Sequence, residues 1–374
     1  MGLLKPFRAL RYDSAVAGPL DDVVAPPYDV ITPETRARLL AASADNAVRV
    51  IRPDAPEAAA ETLREWRERG VLVRDAEQAV WHLRETFTGP DGVERDRRGL
   101  VARVRLEPYS AGSVLPHERT FPAPKLARLR LLRAVRTKLS PIFLLHEGRP
   151  PALPEGEPDL QATYGGATSR LWRIRDPDSI AGAIGTVAGR LIIADGHHRY
   201  ETALRFHEED GTEETGHVLA ALVSRLDPGL TIFPTHRLVS GSVPELNGRF
   251  RVAPVDARQA IERLASVPRD HPAFVLLRRE GALLAEAEAT PGPLGALDTA
   301  VLDRLGLEGV TFTASAEEAA GAVSAGRASA ALLVRPPTIE QVEAVALAGE
   351  TMPPKSTYFF PKLLSGLLFS PFDE

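Results

Sequence analysis

The 374-residue chain contains no cysteine, which excludes disulfides, thiolate metal sites and cysteine nucleophiles together. It also has no apolar run approaching the roughly 20 residues of a membrane helix. Its opening segment, Met1 to Ser14, has no long apolar stretch after Lys5, so no signal peptide is expected and a cytoplasmic location follows. There is no basic excess: 45 Lys and Arg stand against 50 Asp and Glu, for a formal net charge of −5. Nucleic acid is therefore a poor default partner, although a local basic pocket for a small anion remains open. Lysine is scarce, with only Lys5, Lys125, Lys138, Lys355 and Lys362, and every other basic residue is arginine. A compact ammonium suits a point contact to phosphate. No GxGxxG precedes a helix, and neither GxSxG nor HExxH occurs, so dinucleotide-binding, serine hydrolase and zincin readings have no support.

What remains is ordinary globular composition, 44% hydrophobic and 25% charged, with chain enough for two or three cores. Thr32-Pro33-Glu34 reads as an N-cap, a first-turn proline and an acidic first turn, opening a helix that runs through Arg36–Ala42. A second helix covers about 56–69 and ends at Gly70. The alternating stretches at 79–84 and 99–106 flank a Gly89–Gly92 turn cluster, a hairpin pattern. Residues 116–125 hold three prolines and read as irregular, with a basic helix expected over 126–138. Arg190–Ala194 reads as a buried strand. Tyr200, Ala203, Leu204 and His207 then follow the i, i+3, i+4, i+7 spacing of a helix from about His197 to Glu209. The fold class expected is α/β with mixed sheets: a catalytic region over 1–245, a second, smaller α/β unit over the alanine-rich 246–350, and a tail at 351–374 that packs back on the first region.

The chemistry centres on Ala194-Asp195-Gly196-His197-His198-Arg199-Tyr200-Glu201. A strand delivers the chain to a tight turn, and Gly196 allows backbone angles closed to other residues. Asp195 reads as the N-cap. The helix start offers unpaired N–H groups and the positive end of its dipole, an anion site to which two imidazoles and a guanidinium add donors. Phosphate or polyphosphate is the ligand this favours, held by Asp195, Gly196, His197, His198 and Arg199. Consecutive histidines diverge by ~100° on a helix and chelate one ion poorly. His197 with Glu201 is the better-spaced pair, and Asp195 is placed to bind Mg²⁺ alongside a phosphate. Three other clusters carry expectations. His117, Glu118, Arg119 and Lys125 lie in the proline-punctuated segment, with Glu118 as general base and Arg119 or Lys125 as phosphate contact. Tyr28-Asp29 follows two prolines in a rigid turn, with Asp29 the reserve base. Lys355-Ser356-Thr357 reads as a phosphate- or substrate-binding loop, although it lacks the glycines of a Walker loop.

Asp195-Gly196-His197-His198-Arg199 resembles the phosphate-binding motif of the ParB/sulfiredoxin superfamily, in particular its free serine kinase branch. The wider chain resembles the domain-of-unknown-function family numbered ten-fifteen. That resemblance is carried by Val24–Val30, Pro116–Thr120, Ile193–Ala203 and Met352–Leu363. It implies a ParB-like core and transfer of a phosphoryl group from a phosphoanhydride donor (pyrophosphate, ADP or ATP) to the hydroxyl of free L-serine or a similar amino acid. In that scheme Asp195, His197, His198 and Arg199 hold the donor phosphates with Mg²⁺. Glu118, Asp29 and His198 are the catalytic candidates, and Tyr28, His117, Arg119, Lys125, Lys355, Ser356 and Thr357 surround the substrate. A phosphohydrolase, and a non-catalytic nucleotide-sensing or DNA-associated ParB-like module, are the alternatives. A homodimer is among the states the sequence allows.

Overall fold

The computed structural model describes residues 2–246 and 248–373. Its larger sheet has nine strands: β1 (Leu4–Lys5), β2 (Val80–Thr88), β3 (Glu94–Arg105), β4 (Val114–Leu115), β5 (Ile142–His146), β6 (Leu160–Tyr164), β7 (Ala167–Ile174), β8 (Leu191–Asp195) and β9 (His217–Ser224). They lie in the order β4-β8-β5-β9-β3-β2-β7-β6, and β1 pairs with β3. The β4–β8 and β5–β9 pairs are parallel and the others antiparallel. The expected hairpin is β2–β3, in register from Trp81 opposite Val101 to Thr88 opposite Glu94.

Strands β5 and β9 are apolar at every position except their His146, His217 and Ser224 ends, because both faces of the sheet are covered. Phe143, Leu145, Leu219, Ala221 and Val223 point into one core, and Ile142, Leu144, Val218, Ala220 and Leu222 into the other. This alternation is the two-residue repeat of a strand.

Two helices frame the site. Helix α1 (Pro122–Val135) and helix α2 (His197–Asp210) pack against each other. The start of α1 corrects the expectation of irregular chain up to 125. Pro122 and Pro124 fall in its first turn, where their missing N–H groups would have had no intrahelical acceptor and their fixed φ suits the helix. The earlier helix runs Pro33–Ala42, with the Thr32 hydroxyl accepting from the Thr35 N–H at 3.2 Å. The next runs Pro56–Glu68.

A second, six-stranded antiparallel sheet orders Arg251–Val255, Gly281–Glu286, Ala273–Arg278, Ala330–Leu333, His236–Val239 and Val310–Thr313. It takes in His236–Val239, ahead of the change in composition at 246, because Leu238 pairs between Ala331 and Thr311. After helix Ile339–Leu347 the chain returns to the larger sheet. Tyr358–Phe360 pairs with Thr231–Phe233, and Ser370–Pro371 with Thr137–Lys138. Arg97, buried against Glu85 at 2.6 Å, donates to the carbonyls of Phe360 and Pro361 at 3.1 and 2.8 Å, on either side of a cis peptide bond. Among the described residues no helix is long and apolar enough to cross a membrane.

Candidate functional site

The turn after β8 is built on Gly196, whose φ of 98° places it in the left-handed region. Gly196, and not Asp195, is the N-cap of α2, and no side chain caps the helix. Asp195 does not cap because its carboxylate is drawn to two cations, Arg199 one turn along α2 and Lys362 from the returning tail. The first intrahelical bond runs from Tyr200 N–H to Gly196 O at 2.9 Å. The first-turn amides of His197, His198 and Arg199 therefore stay outside the helical ladder, as expected of an anion-binding helix start.

Burial alone would raise the Asp195 pKa, but Lys362 and Arg199 hold it well below the usual carboxylate range. Burial likewise opposes the Lys362 charge, and Asp195 more than offsets it, raising its pKa. Arg199 also donates to the Pro141 carbonyl. Lys362 had no local sequence signal beyond the rarity of lysine, since its partner lies 167 residues away.

The two histidines are fixed differently. His197 is buried, and its Nε2 accepts the His117 backbone N–H at 3.2 Å. His198 is half-buried, with its Nε2 accepting the Phe121 N–H at 2.9 Å and its ring stacked on Phe121. An accepting Nε2 leaves the proton of each neutral ring on Nδ1. Burial lowers the pKa of both, so both are neutral near pH 7.

Glu118 stands among charges of both signs. It sits half-buried where Glu118 bridges in parallel to Met352. Burial raises its pKa to about 7, against the opposing pull of Lys355 and Lys362, with Asp195 adding to the rise. The Lys355 ammonium is exposed and has no hydrogen-bonding partner among the described residues, and its backbone has a φ of 59°. The charges of Asp29 and Lys355 both act on His198, and that of Asp29 also on Lys362. Asp29 lies on an exposed turn of 3-10 helix over Tyr28–Val30, where the Arg128 guanidinium covers the Tyr28 ring at 4.1 Å.

Several expected site residues brace the structure instead. His117 is fully buried: its Nδ1–H donates to Ile193 O at 2.6 Å, and its Nε2 accepts from the Thr357 hydroxyl at 3.0 Å. Burial pushes its pKa down to about 4, and neither ring nitrogen is left for a ligand. Buried Ser356 donates to Pro353 O at 2.7 Å. These polar residues tie the tail and the 116–120 segment to β8, a role that sequence cannot distinguish from substrate binding. Arg119 points to the surface and reaches Asp303 at 3.5 Å, away from the helix start. Lys125 is held by Glu201 at 2.8 Å. Glu201 also accepts from Thr120 at 2.8 Å and Tyr109 at 3.3 Å, which removes it from any pairing with His197 and makes it the clamp between α2 and the segment carrying Glu118.

Both Asp195 oxygens are taken by cations, and among the described residues no group of three or more His, Asp and Glu is placed to hold a metal.

No curated protein matches the chain. Similar solved structures include a free serine kinase in complex with AMP, at 16% identity over 70% of this chain and 88% of that one with a TM-score of 0.43. A conserved hypothetical protein from Pyrococcus furiosus is 17% identical over 70% of this chain and 92% of that one, with a TM-score of 0.41. C-terminally truncated SbnI from Staphylococcus aureus is 14% identical over 71% and 85%, with a TM-score of 0.37. A family model described as "Protein of unknown function (DUF1015)" matches residues 4–300, most of the length, and the chain belongs to that family.

Proposed function

We propose that the protein is a small-molecule phosphotransferase that moves a phosphoryl group from a phosphoanhydride donor, pyrophosphate, ADP or ATP, to the hydroxyl of free L-serine or a similar small amino acid. The observation that carries this reading is Glu118. Its carboxyl, with a pKa raised to about 7, stands beside the cations that flank an open helix start. A general base works best with a pKa near the operating pH.

In this reading the donor phosphates lie against the first-turn amides of α2, with His198 Nδ1–H as a side-chain donor. Arg199 and Lys362 keep Asp195 charged and fixed, so the helix start is preorganised. Glu118 takes the proton from the acceptor hydroxyl as its oxygen attacks the terminal phosphorus. The bond from that phosphorus to the bridging oxygen breaks, and the leaving phosphate or nucleoside phosphate departs with the electron pair. Lys355, unpaired and exposed, meets the acceptor carboxylate. Magnesium enters as part of the donor complex. Such a transfer needs positioning and charge neutralisation more than covalent help.

The test is a transfer assay with Mg²⁺ and L-serine, offering pyrophosphate, ADP and ATP separately and following O-phosphoserine by phosphorus NMR. Product with one donor, abolished in His198→Ala, is the expected outcome. Absence of product with all three donors overturns the proposal.

A further inference from the structure

A partly open pocket has Tyr28 and Arg199 in its wall. It is a cavity of about 70 Å³ between α1, α2 and the segment that follows α1. Leu132, Val135 and Ala203 are among its apolar walls. Arg128, Lys138 and Arg199 supply three basic side chains to its lining, and no carboxylate lines it.

Two of its lining side chains are at odds with an empty apolar hole. Lys138 is 5% exposed and its Nζ has no hydrogen-bond partner. The nearest compensation is the face of Phe372, 4.8 Å from Nζ to the ring centroid. Thr202 is 4% exposed and its hydroxyl is also unpartnered. A buried donor without an acceptor is costly, and a buried ammonium without a counter-charge more so. Burial, with Arg103 nearby, lowers the Lys138 pKa to about 7. The other two cations already have partners: Arg128 donates to Ile51 O at 2.6 Å, and Arg199 holds Asp195. The unpartnered donors are thus those of Lys138, from the segment after α1, and Thr202, from α2, two residues that line one cavity.

We infer that this cavity, which shares the Arg199 wall with the helix start, is a second ligand site that takes a short-chain aliphatic carboxylate. The alkyl group fills the leucine- and valine-lined space, and the carboxylate accepts from the Lys138 ammonium and the Thr202 hydroxyl. The size agrees: the cavity of about 70 Å³ has room for roughly five waters, the scale of a branched four- or five-carbon acid. An inorganic phosphate would fit the charge but leave the apolar walls unsatisfied. The inference does not depend on the phosphotransferase reading, because it concerns a different set of donors.

The experiment is calorimetric titration of the full-length protein with isovalerate and with isovaleramide, the neutral isostere. Isovalerate should saturate a single site, and the amide should bind at least tenfold more weakly. Lys138→Met should weaken the acid by about tenfold or more, the scale of one charge-assisted hydrogen bond. Thr202→Val, which keeps the shape and removes only the hydroxyl, should weaken it by about threefold to tenfold, and it decides the matter if Lys138→Met does not fold. Acid binding should persist in His198→Ala. Equal binding of acid and amide, absence of saturable acid binding, unchanged binding in Thr202→Val, or loss of acid binding in His198→Ala would each overturn the inference.

Discussion

Replacing Glu118 by glutamine separates its two roles in opposite directions. The carboxyl has a pKa of about 7 in the folded protein against an ordinary 4.5. At ~1.4 kcal/mol per unit, that gap is worth up to roughly 3 kcal/mol. Partial exposure reduces the working figure to roughly 1–3 kcal/mol. The folded state binds this proton more tightly than the unfolded chain, so between pH 4.5 and 7 stability falls as pH rises, and above 7 the deficit is constant. Glutamine carries no such deficit. Glu118→Gln should therefore be more stable than the parent at pH 8, by roughly 1–3 kcal/mol, with the advantage shrinking towards pH 5. Its transfer activity should fall by ~10²–10⁴, and the rise of kcat/KM through a pH of about 7 should disappear. Thermal unfolding at the two pH values and O-phosphoserine production measure the two effects. A variant that is less stable than the parent at pH 8 would refute the reasoning, because it would mean that the ionised carboxylate gains more from Lys355 and Lys362 than it loses by burial.

Gly196→Ala places a Cβ 3.1 Å from the Arg199 guanidinium at a φ of 98°. It should cost about 1–2 kcal/mol in a thermal melt and weaken pyrophosphate binding in a titration. Lys362→Met leaves the partly buried Asp195 carboxylate with one cation and should cost about 1–3 kcal/mol, with Lys362→Arg milder in the same melt. Arg119→Ala removes only a long, exposed ion pair to Asp303, so stability should change by less than ~1 kcal/mol and transfer rate by less than about twofold.

The helix start at Gly196 was legible because every signal there is local. An apolar run ends at Asp195, a glycine follows, and the period then changes from that of a strand to that of a helix. The hairpin β2–β3 was legible for the same reason. The start of α1 was not, since Pro122 and Pro124 read as breakers unless they are already known to occupy a first turn. Roles were harder than elements. His117, Ser356 and Thr357 have the side chains of a binding loop, yet burial turns them inward to satisfy one another and nearby carbonyls. Lys362 and Glu201 gained their importance from partners far along the chain, and no periodicity records such a pairing.

The tail that returns across β8 is a clasp closed over long stretches of sequence. Thr357 meets His117 across 240 residues, and Lys362 meets Asp195 across 167. Loop-closure entropy grows only slowly with length, so such spans are tolerable at equilibrium. They are slow to form, however, because distant partners must find each other after local structure exists. The nine-stranded sheet needs neither contact for its ladders, whereas the proposed transfer needs both. A molecule whose clasp has opened would have lost the second cation on Asp195 and the neighbours of Glu118, and with them Met352, Phe359, Leu363, Leu367 and Phe369 from the main core. Under the proposed transfer, competence at this site would report that the tail is seated, because the segment that positions Asp195 and Glu118 is also part of the core.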